Sequence, residues 1–158
     1  GWPQLCSEVG EVEPRKQLAL YQEIHDVDAL ESFVQKLSGE IKILGQAVLL
    51  EEKTMSQQAA EIYIQLSAAE SEMWEVYEYL ARMYWNLKES RTGRMFMDKA
   101  IQLAPQTAKV QLSNSLYHSQ KNPAEAKERL QQLALFPGVF ASIREEAKQQ
   151  LEILAERY

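Results

Sequence analysis

Residues 74–105 read WEVYEYLARMYWNLKESRTGRMFMDKAIQLAP. Apolar or small side chains recur at Tyr77, Leu80, Ala81 and Tyr84, a spacing of three and four that lines one face of a helix. After a polar break the same spacing resumes at Gly93, Met97 and Ala100, and Pro105 ends it. The stretch therefore predicts two helices, Met73–Leu87 and Arg91–Leu103.

Working outward, the pattern repeats. Tyr84 and Tyr117 are 33 positions apart (117 − 84), as are Gly93 and Ala126, Met97 and Leu130, and Ala100 and Leu133. Stepping back 34 from the same residues gives Leu50, Ala59, Tyr63 and Leu66. Each register thus has a large residue on its first helix. Its second helix carries a small residue, a large one four later and an apolar one three after that. A small residue where two helices cross lets their backbones approach, and bulky neighbours fill the grooves on either side. One pair cannot bury both its faces, so pairs in series must stack.

With those residues in place, the stretch resembles a tetratricopeptide repeat (TPR). Tyr77, Leu80, Ala81 and Tyr84 stand at the family's first-helix positions, and Gly93, Met97, Ala100 and Pro105 at those of the second helix and its end. The best copy is 73–106 and the likeness extends over about Glu40–Gly138. The flanking copies are degenerate. Ser113 and Asn114 replace the Leu and the small residue, and Ser71 stands where Pro is expected.

The rest of the chain reads as helix too. A loose arm is expected over 1–14, then one TPR-like domain over 15–158. Helices are expected at Arg15–Ile24, then from a cap at Asp26 or Asp28 to about Leu37, with a stop at Ser38–Gly39. Further helices are expected at Glu40–Glu52, at Ser56–Ala69 with Ser56 as cap, at Thr107–Ser119 and at Pro123–Leu135. A long capping helix, Val139–Arg157, follows the Pro137–Gly138 break. No run alternates with period two, so the fold class is all-α: an α-solenoid of about three repeats, an N-terminal helical pair and a C-terminal cap.

Composition narrows the function. Seventeen basic against 23 acidic residues give a net charge of −6, the wrong sign for a nucleic-acid binder that displaces counterions from phosphates. Apolar runs such as Ala47–Leu50 are too short to insert in a membrane. The one cysteine, Cys6, has no internal partner; this favours a cytoplasmic setting but also fits a periplasmic or membrane-anchored full-length protein. No signal peptide is visible, and the opening GWPQLC reads as a trimmed edge. There is no Gly-rich phosphate loop, HExxH or GxSxG, so neither catalytic residues nor a cofactor is expected. The cluster Glu23, His25, Asp26, Asp28 lies at a helix break where Asp serves as a cap, and no metal site is assigned to it.

The TPR resemblance implies that first helices line a concave face holding a partner segment. On that face the expected residues are Glu75, Glu78, Arg82 and Trp85 in the best copy, and Gln111, Ser115 and His118 in the next. The earlier copy would offer Glu51 and Glu52. Trp85 is the expected anchor, since Trp is over-represented among binding hot spots. Glu75 and Glu78 stand where a clamp for the C-terminal carboxylates of heat-shock chaperones would need cations or amides. A basic or apolar partner segment is expected instead. Lys88, Arg91, Arg94 and Lys99 form a modest basic patch, read as a solvated face or a contact for an acidic partner. The expected function is an adaptor, assembly factor or chaperone-like module. Self-association into a homo-oligomeric scaffold is the alternative, and a regulatory subunit of an enzyme the more distant one.

Overall fold

The structure is a computed structural model that describes residues 13–119 and 121–157, without the side chain of His118. Most of the expected arm, residues 1–12, lies outside the described residues. Among the described residues there are nine helices and no strand: α1 Pro14–Glu23, α2 Val27–Gln35, α3 Gly39–Glu52, α4 Ser56–Ala68, α5 Trp74–Asn86, α6 Ser90–Leu103, α7 Ala108–His118, α8 Pro123–Leu135 and α9 Ala141–Arg157. The all-α reading stands, with helix ends within about two residues of those expected.

Local chemistry accounts for the boundaries. Pro14 sits in the first turn of α1, where its missing N–H is not needed. Asp26 caps α2 by accepting from the Ala29 N–H at 3.0 Å, and Asn122 caps α8 through the Glu125 N–H at 3.2 Å. Ser56 is the first helical residue of α4 rather than its cap, a position held by Met55. Gly39, read as a stop, instead opens α3.

Four helices end in the same way. After α1, α3, α4 and α5 a non-glycine residue takes positive φ: His25, Thr54, Glu70 and Lys88. At Thr54 the N–H donates to the Glu51 carbonyl and the Met55 N–H to the Leu50 carbonyl, both at 2.9 Å. The other three turns repeat this pair of bonds, which closes the last helical carbonyls.

The sequence reads as one domain from Arg15, whereas the chain divides into two compact units at Glu72 and Met73. In the N-terminal unit (residues 13–72), α1, α2 and α3 pack on one another and α4 packs on α3. Leu18, Leu30, Val34, Leu44, Ala47, Ala59, Tyr63 and Leu66 are its buried core. In the C-terminal unit (residues 73–157), α5 pairs with α6 and α7 with α8, α7 also touches α5 and α6, and α9 closes on α8 and α7.

The second-helix register is buried in all three pairs. Ala59, Tyr63 and Leu66, then Met97 and Ala100, then Ala126, Leu130 and Leu133 are each no more than 5% exposed. At Gly93 a Cβ would stand 3.1 Å from the Ala81 carbonyl oxygen and 3.3 Å from the Trp85 nitrogen. The α5–α6 crossing is therefore set by the absence of a side chain. First-helix members are less uniform: Tyr117 is buried, whereas Leu50 and Tyr84 are half-buried, with Tyr84 stacked on Phe96 at 5.5 Å.

Candidate functional site at the α5–α7 seam

The residues expected on an open face fall into two groups. Glu75, Arg82 and Trp85 are half-buried and reach solvent. Glu78, Gln111 and Ser115 do not, being 1%, 3% and 0% exposed. His118 ends α7, and its side chain lies outside the described residues.

Glu78 is the centre of a buried polar seam. Its carboxylate accepts from Arg82 Nε at 2.6 Å and Nη2 at 3.1 Å, one turn along α5. Ser113 Oγ donates to it from α7 at 2.8 Å, and Lys109 Nζ, also on α7, lies 4.0 Å away. Burial alone would raise the pKa of this carboxyl. The two cations and the hydrogen bonds outweigh it and hold the carboxyl below its ordinary value. A carboxylate so saturated stays ionised and has no proton to exchange near neutral pH. Its work is to tie α5 to α7.

The buried Gln111, Asn114 and Ser115 side chains of α7 find partners nearby. Gln111 Nε2 donates to the Pro105 carbonyl at 3.1 Å, and Ser115 Oγ donates back to the Gln111 carbonyl at 2.8 Å. Asn114 accepts from Arg94 of α6 at 3.1 Å, and Arg94 also pairs with Asp98 at 3.0 Å. Ser113 and Asn114 stand 33 residues after Leu80 and Ala81, in core positions of the repeat. Polar residues there demand buried partners, and Glu78 and Arg94 provide them.

This explains why the expected stripe split. Position 78 faces the seam to α7 and position 111 the α6–α7 connection, not open solvent, and a polar identity gave no sign of it because Glu is rarely fully buried. The signal was in the α7 register: Ser113 in a leucine's place calls for a partner one helix away. Lys109 and Ser113 are site residues that the sequence reading missed.

At the outer rim, the Trp85 ring lies 4.3 Å from that of Tyr117, tilted by 54°. Arg82 also sits over the Tyr79 ring at 5.6 Å. Burial and the Glu78 charge hold the Tyr117 phenol in its neutral form well above the usual range, and its hydroxyl is buried without a hydrogen-bond partner. With Glu78 enclosed, the acidity expected along this stripe is reduced to Glu75, beside Arg82 and Lys109, whose side chains are 38% and 37% exposed. The charge argument for a basic partner at this face therefore loses one of its two carboxylates.

Of the remaining candidates, His25 Nδ1 lies 3.1 Å from Glu52 Oε2 and Asp26 is engaged as a cap. Glu51 accepts from the Tyr63 hydroxyl at 2.7 Å. Among the described residues no three His, Cys, Asp or Glu are grouped to hold a metal, and no helix is long and apolar enough to cross a membrane. Lys99 of the basic patch lies over the Tyr77 ring at 5.9 Å. Compared with family models, curated proteins and solved structures, the chain finds no match in any of the three, so the TPR likeness rests on the residues quoted above.

Proposed function

We propose that the helix pairs are TPR-like repeats of an α-solenoid and that the chain is a protein-binding module, an adaptor or assembly factor without catalysis of its own. A partner segment is held along the first helices α5 and α7, with Trp85 as anchor and Glu75, Arg82 and Lys109 at its edge. The observation that carries this reading is the triple burial of one small–large–apolar register, Ala59/Tyr63/Leu66, Gly93/Met97/Ala100 and Ala126/Leu130/Leu133. Recurrent pairs of this kind present first-helix faces for recognition, and a half-exposed Trp amid mixed charges is suited to anchoring a partner.

The test is to pan a random peptide library against the whole chain and measure affinities of the enriched peptides. Trp85→Ala should weaken them roughly tenfold or more, and Lys109→Ala by less, with helical circular dichroism retained. If no consensus emerges, or if neither substitution alters affinity, this reading is wrong.

A further inference from the structure

The acidity of the chain is concentrated away from the α5–α7 seam. Residues 13–72 carry eleven acidic and five basic side chains, a net −6, whereas residues 73–157 carry ten and twelve, a net +2. The N-terminal unit also exposes large apolar side chains at Leu20, Ile24, Ile43, Met55 and Ile64.

Two turns bring part of this acidity and part of this apolar surface together. Leu20 and Ile24 are one turn apart on the outward face of α1, and Ile24 is 56% exposed. The next residue, His25, bonds through its ring to Glu52 at the end of α3, so the turn after α1 lies against the turn that leads to Met55, itself 40% exposed. Lys53 pairs with Glu31 of α2 at 3.5 Å and fixes the third helix at the same end. The chain through and beside these turns carries Glu23, Asp26, Asp28, Glu31, Glu51 and Glu52 against one lysine, Lys53; Asp26 caps α2, Glu31 pairs with Lys53, Glu51 accepts from Tyr63 and Glu52 faces His25.

We propose that this end of the N-terminal unit docks a basic amphipathic segment of a partner protein. An apolar side chain of the segment covers Ile24 and Met55, and flanking Lys or Arg side chains pair with the carboxylates. Charge complementarity selects the occupant. A second copy docking through the same face would bring an equal negative charge against it, and an anionic bilayer would be repelled in the same way. Lys and Arg also suit such a surface because their methylene stems cover apolar area while their charges stay in water. The proposal is independent of the α5–α7 groove: it uses a different unit and none of the same residues.

The test uses the whole chain and a fluorescent helix-forming probe of about 16 residues with a central Leu pair flanked by Lys and Arg, read by anisotropy. A sibling probe carries Glu at every cationic position. The cationic probe should bind, weaken severalfold between about 0.05 M and about 0.3 M salt, and lose roughly tenfold in affinity in the Ile24→Ser/Met55→Ser double variant. Both positions are exposed, so the fold should survive, checked by circular dichroism. Leu135→Ser, an exposed apolar position of the other unit, should leave the affinity unchanged. Equal binding of the acidic sibling overturns the proposal. So does an unaltered affinity in the double variant, or a loss confined to Trp85→Ala, which would instead assign the probe to the groove. A concentration-dependent dimer abolished by the double variant would make the occupant a second copy and overturn it as well.

Discussion

The two units are built from the same helices and differ in what they put between them. In the N-terminal unit the buried residues are apolar, aromatic or small apart from Ser71, which donates to Glu40, and none of its described carboxylates is fully buried. In the C-terminal unit a charged group is enclosed: Glu78, bound by Arg82 and Ser113 with Lys109 near, between α5 and α7. An apolar seam is non-directional and tolerates sliding; a carboxylate with fixed donors on two helices accepts few registers. The difference teaches that one helical pattern can be held by two kinds of joint. The polar joint is the more fragile, because losing one partner strands the other.

The largest expected effect breaks that joint. Arg82→Ala leaves a buried carboxylate without its main counter-charge and should cost about 3–5 kcal/mol in denaturant unfolding. Lys53→Ala, which opens the exposed Lys53–Glu31 pair of the other unit, should cost under about 1 kcal/mol. Equal costs would erase the distinction between the units.

Next comes the crossing at Gly93. Gly93→Val places side-chain atoms against the backbone of Ala81 and Trp85, neither of which can swing aside, and should cost about 1–3 kcal/mol. A neutral result would mean that α5 and α6 separate without penalty.

Acid should act on the C-terminal unit through Glu78. Its folded pKa lies below the ordinary 4.5, so its contribution is fully present above the unfolded value and is lost as pH falls through the folded one. Unfolding followed from pH 7 downward should show stability falling below about 4.5. In Glu78→Gln, a less stable protein at neutral pH, that part of the slope should be missing. An unchanged slope would remove Glu78 from the explanation.

The smallest effect is a gain. Thr54 holds φ 59°, a conformation hard on a β-branched side chain, so Thr54→Gly should raise stability by about 0.5–1 kcal/mol. Lys88→Gly should do the same in the C-terminal unit, where φ is 64°. Together they test whether the shared helix endings matter equally in both.

Much of the fold was legible because helix signals are local. Spacings of three and four, Pro123 opening its helix and a cap at Asp26 act within one turn of chain and fix where helices start; Pro14, read as part of the arm, opens α1, and Asn122 adds a cap that was not read. The recurrence of Ala59, Gly93 and Ala126 picked out three buried positions, and at Gly93 the α5–α6 crossing. The candidate site was read less well. Glu75, Arg82 and Trp85 reach solvent as expected, but Glu78, Gln111 and Ser115 share their stripe and are enclosed. A helix of 3.6 residues per turn lets such a stripe cross from open face to seam within two turns.

The amino-acid sequence alone determined the nine helical segments of the described residues and the repeated register, since each depends on neighbours a few positions away. Only the tertiary structure decided which polar residues went inside, because that depends on what the next helix brings. Glu78 is tolerable in the interior only once Ser113 and Lys109, more than thirty positions further on, arrive beside it.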